Sequence, residues 1–361
     1  MITEAPAAAA PASIVIREHP ASGDAAWDEA ASRLPYATFC HTYAWRRTIE
    51  RTFGHAAHYF AAWRGDRIAG LLPLFLVRAL NLRRVLVSVP NGVYGGIAAE
   101  DAEAARSLQE HAMRFAVSLG VDYLELRDHT SEQALQSGAA ADFHVQDLYV
   151  AFDCAIVPDE EAQLASFKRE LRRMVRVGGK NGLSAHFGRE EHLDEFYEVY
   201  ALSLSQLGTP VFPRTLFETF LEEFPTADIM VVRQGSKVAS AVMSFYSSDA
   251  VHPYYAGAYP QFYRAGVNNF MYWELMKSAA ARGCTRFDFG RSKKGTGAYA
   301  FKRTWDMRER ELPYRHYLVR AQAPPNVNPT NPRFSPFIEA WKKLPLGVAK
   351  FLGPMVVKHL P

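Results

Sequence analysis

Alternating and helical hydrophobic patterns divide the chain into two series of elements that follow the same order. Each series contains two alternating segments joined by a glycine turn, which is typical of a β-hairpin. Each then continues with a strand, an amphipathic helix that ends near a glycine, and a further strand. The matched segments are 58–77 with 228–247, 85–89 with 251–256, 102–119 with 268–281, and 123–127 with 286–289. This order predicts two copies of one mixed-sheet α/β unit.

Sequence similarity between the two series supports an internal duplication. The segment RGDRIAGLLPL at 64–74 aligns with QGSKVASAVMS at 234–244, and LGVDYLELR at 119–127 aligns with RGCTRFDFGR at 282–291. A repeated order with matching glycines is the pattern of duplicated units. The predicted divisions are a leader at 1–13, a first domain at 14–153, a second domain with the active site at 154–322, and a Pro-rich linker with a basic C-terminal helix at 323–361.

Composition narrows the class of protein. The 361 residues are 48% hydrophobic with a net charge of +3, which favours a globular protein with two cores over a dedicated nucleic-acid coat. The three cysteines and 12 histidines show no metal-ligand spacing, so we predict reduced thiols and no metal site. The segment MITEAPAAAAPAS lacks signal-peptide features, and no apolar window is long enough to span a bilayer. These features predict a cytoplasmic location.

The stretch from Phe287 to Trp305, FDFGRSKKGTGAYAFKRTW, is the richest in candidate chemistry. Phe287 and Phe289 alternate as in a buried strand, which we expect to end there and to be followed by a glycine-containing loop. Glycines allow a ligand to approach the backbone, and neighbouring cations suit a phosphate or a carboxylate. A solvated basic loop is the alternative. The candidate cations for binding a substrate or cofactor are Arg291, Lys293 and Lys294.

Several segments resemble FemAB-type proteins, and more narrowly the FemAB-related subfamily associated with exosortase and PEP-CTERM exopolysaccharide systems. They are FCHTYAWRRTIERTFG, VPNGVYGG, LRRMVRVGGKNGL and, above all, FDFGRSKKGTGAYAFKRTW. The resemblance covers about residues 36 to 320. It implies two tandem GNAT-like acyltransferase domains. The best-known members transfer amino acids from aminoacyl-tRNA to a cell-wall peptide precursor, and other branches are described as acyl-CoA-dependent.

The resemblance also implies a catalytic residue. Phe301-Lys302 matches the Phe-Lys pair that carries the functional lysine of the family, and it has no counterpart in the first repeat. An ammonium there could stabilise the oxyanion of an acyl-transfer intermediate or hold a carboxylate or phosphate. A surface lysine beside a core phenylalanine is the alternative.

Two departures from the family pattern leave the donor open. The segment QFYRAGVNN at 261–269 does not fit the GNAT pyrophosphate loop, although backbone amides near Arg264 and Gly266 could still bind phosphate. The chain also lacks the long charged helical hairpin of FemA-like members. We expect no tightly bound cofactor and a donor that is either aminoacyl-tRNA or acyl-CoA.

Further candidates come from the strands and the matching loop of the first repeat. Asp288 could act as a general base for an acceptor amine, or it could form a salt bridge with Arg291 or Lys302. Strand alternation predicts that one of Tyr254 and Tyr255 faces a cleft while the other is core. The remaining candidates are Tyr255 as a cleft residue, and Asn91 and Tyr94 in PNGVYGG as acceptor contacts or parts of a turn.

Two basic segments suggest partners. A helix predicted at 160–177 carries many arginines that could meet RNA phosphates, or that could form a solvated face. A tail helix predicted at about 337–352 combines an apolar stripe with lysines. It could lie on the inner face of the membrane or pack back on the domain.

These observations predict an acyltransferase. It would move an acyl or aminoacyl group to an amine of a peptide or sugar carrier, small or lipid-linked, in cell-envelope or exopolysaccharide biosynthesis. Two alternatives remain open: an acetyl-CoA-dependent N-acetyltransferase, and a non-catalytic binding protein for an anionic glycan precursor.

Overall fold

The computed structural model describes residues 13–20, 22, 25–80, 83–138, 142–247, 249–325 and 335–361. Within these residues it confirms the predicted mixed α/β fold. Most of the predicted leader, residues 1–12, and residues 326–334 of the predicted linker lie outside the described residues.

The elements follow the predicted order. The first half contains β1 (Ile14–His19), α1 (Ala25–Arg33), α2 (Tyr43–Phe53), β2 (Ala56–Arg64), β3 (Arg67–Arg78), β4 (Arg84–Val87), β5 (Ala98–Ala99), α3 (Ala102–Leu119), β6 (Tyr123–Arg127), α4 (Ser131–Gln136) and β7 (His144–Ala155). The second half contains α5 (Glu160–Ser166), α6 (Arg169–Lys180), β8 (Leu183–Gly188), α7 (Leu193–Leu207), α8 (Arg214–Glu223), β9 (Asp228–Gln234), β10 (Lys237–Tyr246), β11 (Ala250–Ala258), α9 (Val267–Ala281), β12 (Arg286–Lys293), α10 (Gly297–Arg303) and β13 (Arg308–Leu318). Two helices follow, α11 (Ser335–Lys342) and α12 (Leu346–Val357).

The strands form one continuous sheet with a symmetric order. The path is β1-β2-β3-β4-β6-β13-β7-β12-β11-β10-β9-β8, and β5 pairs with β3. Read inward from β1 or from β8, the corresponding strands of the two halves follow one another in the same order. The exceptions are β7 and β13, which have changed places. Each of these strands, the last of its own half, lies in the sheet of the other half and pairs there with β12 or β6. The two halves are therefore joined by exchanged strands, and the predicted domain boundaries stay a prediction.

The strand pair β11 and β12 diverges. These strands run parallel and pair only at Ala250–Arg286 and Val251–Phe287, after which they separate. The matching pair β4 and β6 is also parallel and pairs over three positions. Ligands of α/β sheets commonly bind where neighbouring strands separate, which makes the divergence of β11 and β12 a candidate position in the second half.

The two faces of the sheet are covered differently. On one face α1, α2, α7 and α8 share a single core that contains residues of both halves. On the other face α3 and α9 pack over separate cores, one in each half, and α6 packs against α9. The shared face is therefore where a cleft between the halves can form.

Three sequence-based boundaries were wrong. The single helix predicted at 160–177 is two helices, because Phe167 is extended and its buried ring packs against Trp273 and Trp305. The tail is also two helices, separated around Pro345. Strand β12 does not end at Phe289. It continues to Lys293 through a bulge, and the predicted loop after it contains the short helix α10.

Candidate active site

A β-bulge in β12 organises the candidate site. The register with β7 shifts between Asp288, which lies opposite Asp153, and Gly290, which lies opposite Phe152. Gly290 has φ +69°, a left-handed conformation that glycine adopts at little cost. The extra residue brings Arg291 opposite Ala151, on the same face as Asp288. An acid and an arginine three positions apart thus project from one face of the strand.

Asp288 lies buried beneath the cleft with its two oxygens in different surroundings. Oδ1 accepts hydrogen bonds from the Tyr94 hydroxyl at 2.9 Å and from the Gly290 N–H at 2.8 Å. Among the described residues Oδ2 has no hydrogen-bond partner. Its ionic neighbours are Arg286 Nη1 at 3.6 Å and His252 Nδ1 at 3.8 Å. The structure therefore brings together Tyr94 and Asp288, two residues singled out separately from the sequence.

The alternative in which Asp288 pairs with Arg291 or Lys302 was wrong. Arg291 donates to the Tyr314 hydroxyl at 3.2 Å, and its guanidinium lies 4.7 Å from the centre of the Tyr149 ring. Tyr149 and Tyr314 hold this cation away from Asp288 through cation–π contacts.

Lys302 lies on α10 and binds the backbone of the bulge. Its Nζ donates to the carbonyl oxygens of Phe289 at 2.5 Å, Gly290 at 3.2 Å and Arg291 at 3.0 Å. Burial lowers the pKa of Lys302 to about 7. All three donors of the ammonium form are thus used in this conformation, and Lys302 positions the bulge. Its role toward an oxyanion stays a prediction, and its neighbour Phe301 packs against the second-half core.

The two lysines that follow the bulge differ in their contacts. Lys293 Nζ is buried without a hydrogen-bond partner among the described residues, and burial lowers its pKa to about 8. Lys294 forms an ion pair with Asp147 and lies 3.5 Å from Glu311. Of these two predicted cations, Lys293 is the one with donors left for a ligand.

Tyr254 and Tyr255 do not alternate as predicted. The register of β10 with β11 shifts at this point, from Met243 opposite Tyr255 to Ser244 opposite Pro253. Both tyrosine rings are therefore packed in the aromatic region of the shared core, 5.0 Å apart. The cleft-facing position expected for Tyr255 was wrong because the bulge breaks the two-residue period.

The remaining predicted residues lie away from the bulge or at its margin. Arg264 is exposed on a short 3₁₀ turn, and Gly266 begins α9 with φ +77°. A Cβ at Gly266 would lie 2.8 Å from the Met174 carbonyl oxygen, so close packing of α6 requires this glycine. Asn91 has φ +59° in the 88–96 loop, and its buried Nδ2 has no hydrogen-bond partner among the described residues. Their proposed ligand contacts stay predictions.

A cavity of about 830 Å³ lies between the halves, beside the buried Asp288. Its wall combines α1, residues 129–132, the first residues of β11 and β12, and the first residues of β13. The charged side chains on the wall are five acids (Asp28, Glu132, Asp153, Asp249 and Glu311) and three arginines (Arg286, Arg308 and Arg310). A wall with both charges suits a ligand that carries an amine together with an acidic group.

The arginines of the cavity were not identified from the sequence. Arg308 makes two bonds of 2.8 Å to the Asp153 carboxylate, and Arg286 lies 3.3 Å from Asp249. Arg310 binds the His129 carbonyl, and its Nη2 is buried without a hydrogen-bond partner among the described residues. The alternation Arg308-x-Arg310 was the available signal, since residues two apart in a strand share a face.

His252 is a further cavity residue that the sequence analysis did not identify. It lies on β11 in the cavity wall, with its ring 5.2 Å from the Phe39 ring. Its Nε2 lies 3.2 Å from the Ser247 Oγ. Burial lowers the pKa of His252. Its contact with Asp288 depends on the pairing of β11 with β12, which no spacing in the sequence reveals.

Comparisons with known proteins agree with this architecture. The family model "Acetyltransferase (GNAT) domain" matches residues 165–303, which include the bulge and α10. A crystal structure of FemX matches with a TM-score of 0.69 at 16% identity, over 85% of this chain and 98% of that chain. A tandem GNAT protein from the clavulanic acid biosynthesis pathway matches with a TM-score of 0.53 at 10% identity, over 87% and 100%. L-PGS from Bacillus licheniformis matches with a TM-score of 0.50 at 12% identity, over 86% and 96%.

These similarities establish the fold. A comparison with curated protein sequences found no significant match. Residues 165–303 in the second half thus match a GNAT acetyltransferase domain model, and the chain has a tandem GNAT-like architecture overall. Within the described ranges, no helix is both long and apolar enough to cross a membrane, and no group of potential metal ligands is found.

Proposed function

We propose that the protein is a GNAT-type N-acyltransferase that moves an acyl or aminoacyl group to an amine of a peptide or sugar carrier in cell-envelope or exopolysaccharide assembly. The observation that carries the proposal is the cavity between the halves, whose wall includes the first residues of β11 and β12 and residues of the first half. The GNAT family match covers these strands, and structural similarity to FemX adds support.

The acceptor binds in this cavity. Its volume of about 830 Å³ accommodates a ligand larger than a single amino acid. The carboxylates attract the ammonium form of the acceptor, and the free Nη2 of Arg310 is available to a phosphate or carboxylate on the same molecule. Nucleotide-linked amino sugars and peptides carry both kinds of group.

An aminoacyl ester is favoured as the donor. The helix start expected to bind a coenzyme A pyrophosphate is packed under α6, because Gly266 is buried against the Met174 carbonyl. On its outer side α6 carries a stripe of exposed cations at helical spacing, formed by Arg169, Arg173, Arg176 and Lys180. Such a stripe fits the phosphates of an RNA-linked donor.

The reaction is nucleophilic substitution at the donor carbonyl. The acceptor amine attacks the carbonyl carbon of the donor, and a tetrahedral oxyanion forms. The C–O bond of an aminoacyl ester, or the C–S bond of a thioester, then breaks as the amide forms. Lys302 can stabilise the oxyanion only if its Nζ exchanges one of its three backbone carbonyls for that oxygen. Otherwise Lys302 acts by holding the bulge that presents Asp288.

The test is a transfer assay on the full chain. Labelled aminoacyl-tRNA and labelled acetyl-CoA are offered separately with a nucleotide-linked amino sugar or a lysine-containing peptide. We expect transfer from aminoacyl-tRNA, an apparent acceptor KM at least ~10-fold higher in Arg310→Gln, and no change in the control Arg114→Gln on α3. Transfer from acetyl-CoA alone would favour the acetyltransferase alternative, and acceptor binding without turnover would favour the binding-protein alternative.

We also propose that α12 rests on an anionic membrane surface. Ala349, Gly353 and Val357 form its buried stripe, while Val348, Phe351 and Met355 form an exposed apolar stripe. Exposed lysines near this stripe, including Lys342, Lys343 and Lys358, complement anionic headgroups.

Vesicle sedimentation tests this contact. The protein should bind phosphatidylglycerol-containing vesicles and not pure phosphatidylcholine vesicles. The double variant Phe351→Ser/Met355→Ser should lose this binding, whereas the control Leu135→Ser, which removes an exposed leucine elsewhere, should keep it. Concentration-dependent dimerisation that the double variant abolishes, without vesicle binding, would assign the stripe to a second copy of the chain instead.

A further inference from the structure

Three side chains connect the cavity to the buried carboxylate of Asp288. Ser247 and His252 both line the cavity. The Ser247 Oγ lies 3.2 Å from His252 Nε2, and His252 Nδ1 lies 3.8 Å from Asp288 Oδ2. The order hydroxyl, imidazole and carboxylate is the arrangement by which a histidine becomes a positioned proton acceptor.

One oxygen of the Asp288 carboxylate is available to accept a hydrogen bond from the His252 imidazole. Asp288 Oδ1 is satisfied by Tyr94 and by the Gly290 N–H, whereas Oδ2 is buried and has no hydrogen-bond partner among the described residues. A buried acceptor without a donor is costly, so a nearby N–H is strongly favoured, and the candidates are Arg286 Nη1 at 3.6 Å and His252 Nδ1 at 3.8 Å. The 3.8 Å gap to Nδ1 is longer than a hydrogen bond, as is common for catalytic pairs without substrate.

This contact would also determine the tautomer. With the proton on Nδ1 facing Asp288, the lone pair of His252 Nε2 points to Ser247 and the cavity. Asp288 itself cannot reach a ligand, because its side chain is 0% exposed. Its sequence-based assignment as the direct general base therefore does not fit the geometry, and it suits a positioning residue.

We propose that His252 is the general base of the acyl transfer and that Asp288 positions it; this inference rests on the proposed function. As the acceptor nitrogen attacks the donor carbonyl carbon, the new C–N bond forms and the nitrogen passes its proton to His252 Nε2. When the C–O bond of the donor ester breaks, the imidazolium returns the proton to the leaving oxygen. The Ser247 hydroxyl marks the position from which an acceptor N–H would meet His252 Nε2, and it also lies 3.4 Å from the Ala250 carbonyl oxygen.

The charged groups around His252 define its expected response to pH. Burial and Arg286 lower its pKa, while Asp288 and Asp249 raise it. The buried imidazole of His129 is a further titratable neighbour. The pKa of His252 is therefore below its ordinary value, and the base is neutral near pH 7. Asp288→Asn should lower the pKa further, and Arg286→Gln should raise it.

Nuclear magnetic resonance tests the pair without any substrate. In the full chain with labelled histidine, ¹⁵N shifts report the tautomer of His252, and a pH titration reports its pKa; His252→Gln assigns the signal. We expect the Nδ1–H tautomer in the wild type, and both a lower pKa and a mixed tautomer in Asp288→Asn. A His252 signal that is identical in wild type and Asp288→Asn would overturn the positioning role, whatever the transfer assay shows.

Kinetics test the base. With the donor and acceptor pair found active in the transfer assay, kcat should fall ~10²- to 10⁴-fold in His252→Gln with little change in KM. The acidic limb of the kcat/KM profile should coincide with the pKa measured for His252, and both should move together in Asp288→Asn. His316→Gln, which alters a buried histidine away from the cavity, should stay within ~3-fold of the wild type. A His252→Gln enzyme that transfers at half the wild-type rate or more would refute the proposal, even with the proposed function intact.

Discussion

The two halves of the sheet place an acid at corresponding positions, Glu125 in β6 and Asp288 in β12, and leave them in different states. Glu125 Oε1 accepts from Arg127 Nε at 2.7 Å, and Oε2 lies 3.3 Å from His316 Nε2. Burial alone would raise the pKa of Glu125, but Arg127 and His316 hold it below its ordinary value. Asp288 keeps one oxygen without a hydrogen-bond partner among the described residues.

One glycine accounts for the difference. In the first half the sequence is Leu-Glu-Leu-Arg, so the acid and the arginine are two apart and side by side on one face of the strand. In the second half it is Phe-Asp-Phe-Gly-Arg, and Gly290 is accommodated in the bulge. Arg291 moves one position further and lies against Tyr149 and Tyr314. The same strand thus provides a structural ion pair in one half and an available carboxylate oxygen in the other.

Removing each acid should give the largest contrast in stability. Glu125→Gln leaves the buried Arg127 without its carboxylate, which should cost about 3–5 kcal/mol of unfolding free energy. Asp288→Asn removes a charge whose nearest cation, Arg286 Nη1 at 3.6 Å, lies beyond hydrogen-bond distance, so stability should change by only about 1 kcal/mol in either direction. Urea unfolding at pH 7 measures both. Equal losses in the two variants would show that Asp288 is also held by a structural ion pair.

Deleting Gly290 should make the second half resemble the first. Regular alternation would keep the downstream side chains on their present faces and bring Arg291 two positions after Asp288. We expect transfer activity to fall at least ~100-fold, because an arginine would take the Asp288 oxygen that faces His252. Circular dichroism should confirm the fold, and ¹⁵N shifts should show that His252 loses its Nδ1–H tautomer. Retained activity in a folded deletion variant would show that the bulge is dispensable.

The sequence predicted the order of the helices and strands better than it predicted which side chains are in contact. Periodicity and glycine turns located the two repeated units and the candidate stretch, because these features depend on neighbouring residues along the chain. Tyr94 and Asp288 were each singled out, but their contact spans 194 positions and depends on the exchanged strands. His252 carries no local signal at all.

Bulges account for the wrong boundaries near the site. A glycine inside a strand pattern is a known sign of a bulge, so Gly290 could have predicted that β12 continues. The bulge at Tyr254 and Tyr255 has no glycine within it, and only the register with β10 reveals it.

Lys302→Met should show whether the hydrogen bonds from Lys302 to three backbone carbonyls of β12 stabilise the bulge. Three backbone carbonyls lose their donor, which should cost about 1–3 kcal/mol in urea unfolding at pH 9. The control Lys294→Met removes the surface ion pair between Lys294 and Asp147 and should cost less than ~1 kcal/mol. An enzyme that loses kcat with unchanged stability and an unchanged His252 tautomer would instead favour the oxyanion role of Lys302.

The same lysine predicts a pH dependence. Its pKa is about 7 in the folded protein and 10.5 is the ordinary value, so between these pH values the unfolded chain binds more protons. The contribution of Lys302 to stability is therefore full above pH 10.5 and is lost as pH falls toward 7. Wild-type stability should rise from pH 7 to pH 9 relative to Lys302→Met. Parallel profiles would show that the ammonium is not perturbed in the folded protein.

Gly290→Ala should give the smallest effect and the cleanest comparison. A Cβ at Gly290 meets no atom within 4 Å, so the only cost is the left-handed conformation at φ +69°, about 1 kcal/mol. Gly65→Ala provides a matched control in a first-half hairpin, with φ +60° and equally open space. The two variants should lose similar stability in urea, but only Gly290→Ala should change the His252 tautomer and reduce transfer. If neither Gly290→Ala nor Gly65→Ala changes transfer, the conformation of Gly290 does not account for the contrast between the halves. The contrast would then depend on the number of residues in the strand, which the deletion of Gly290 tests.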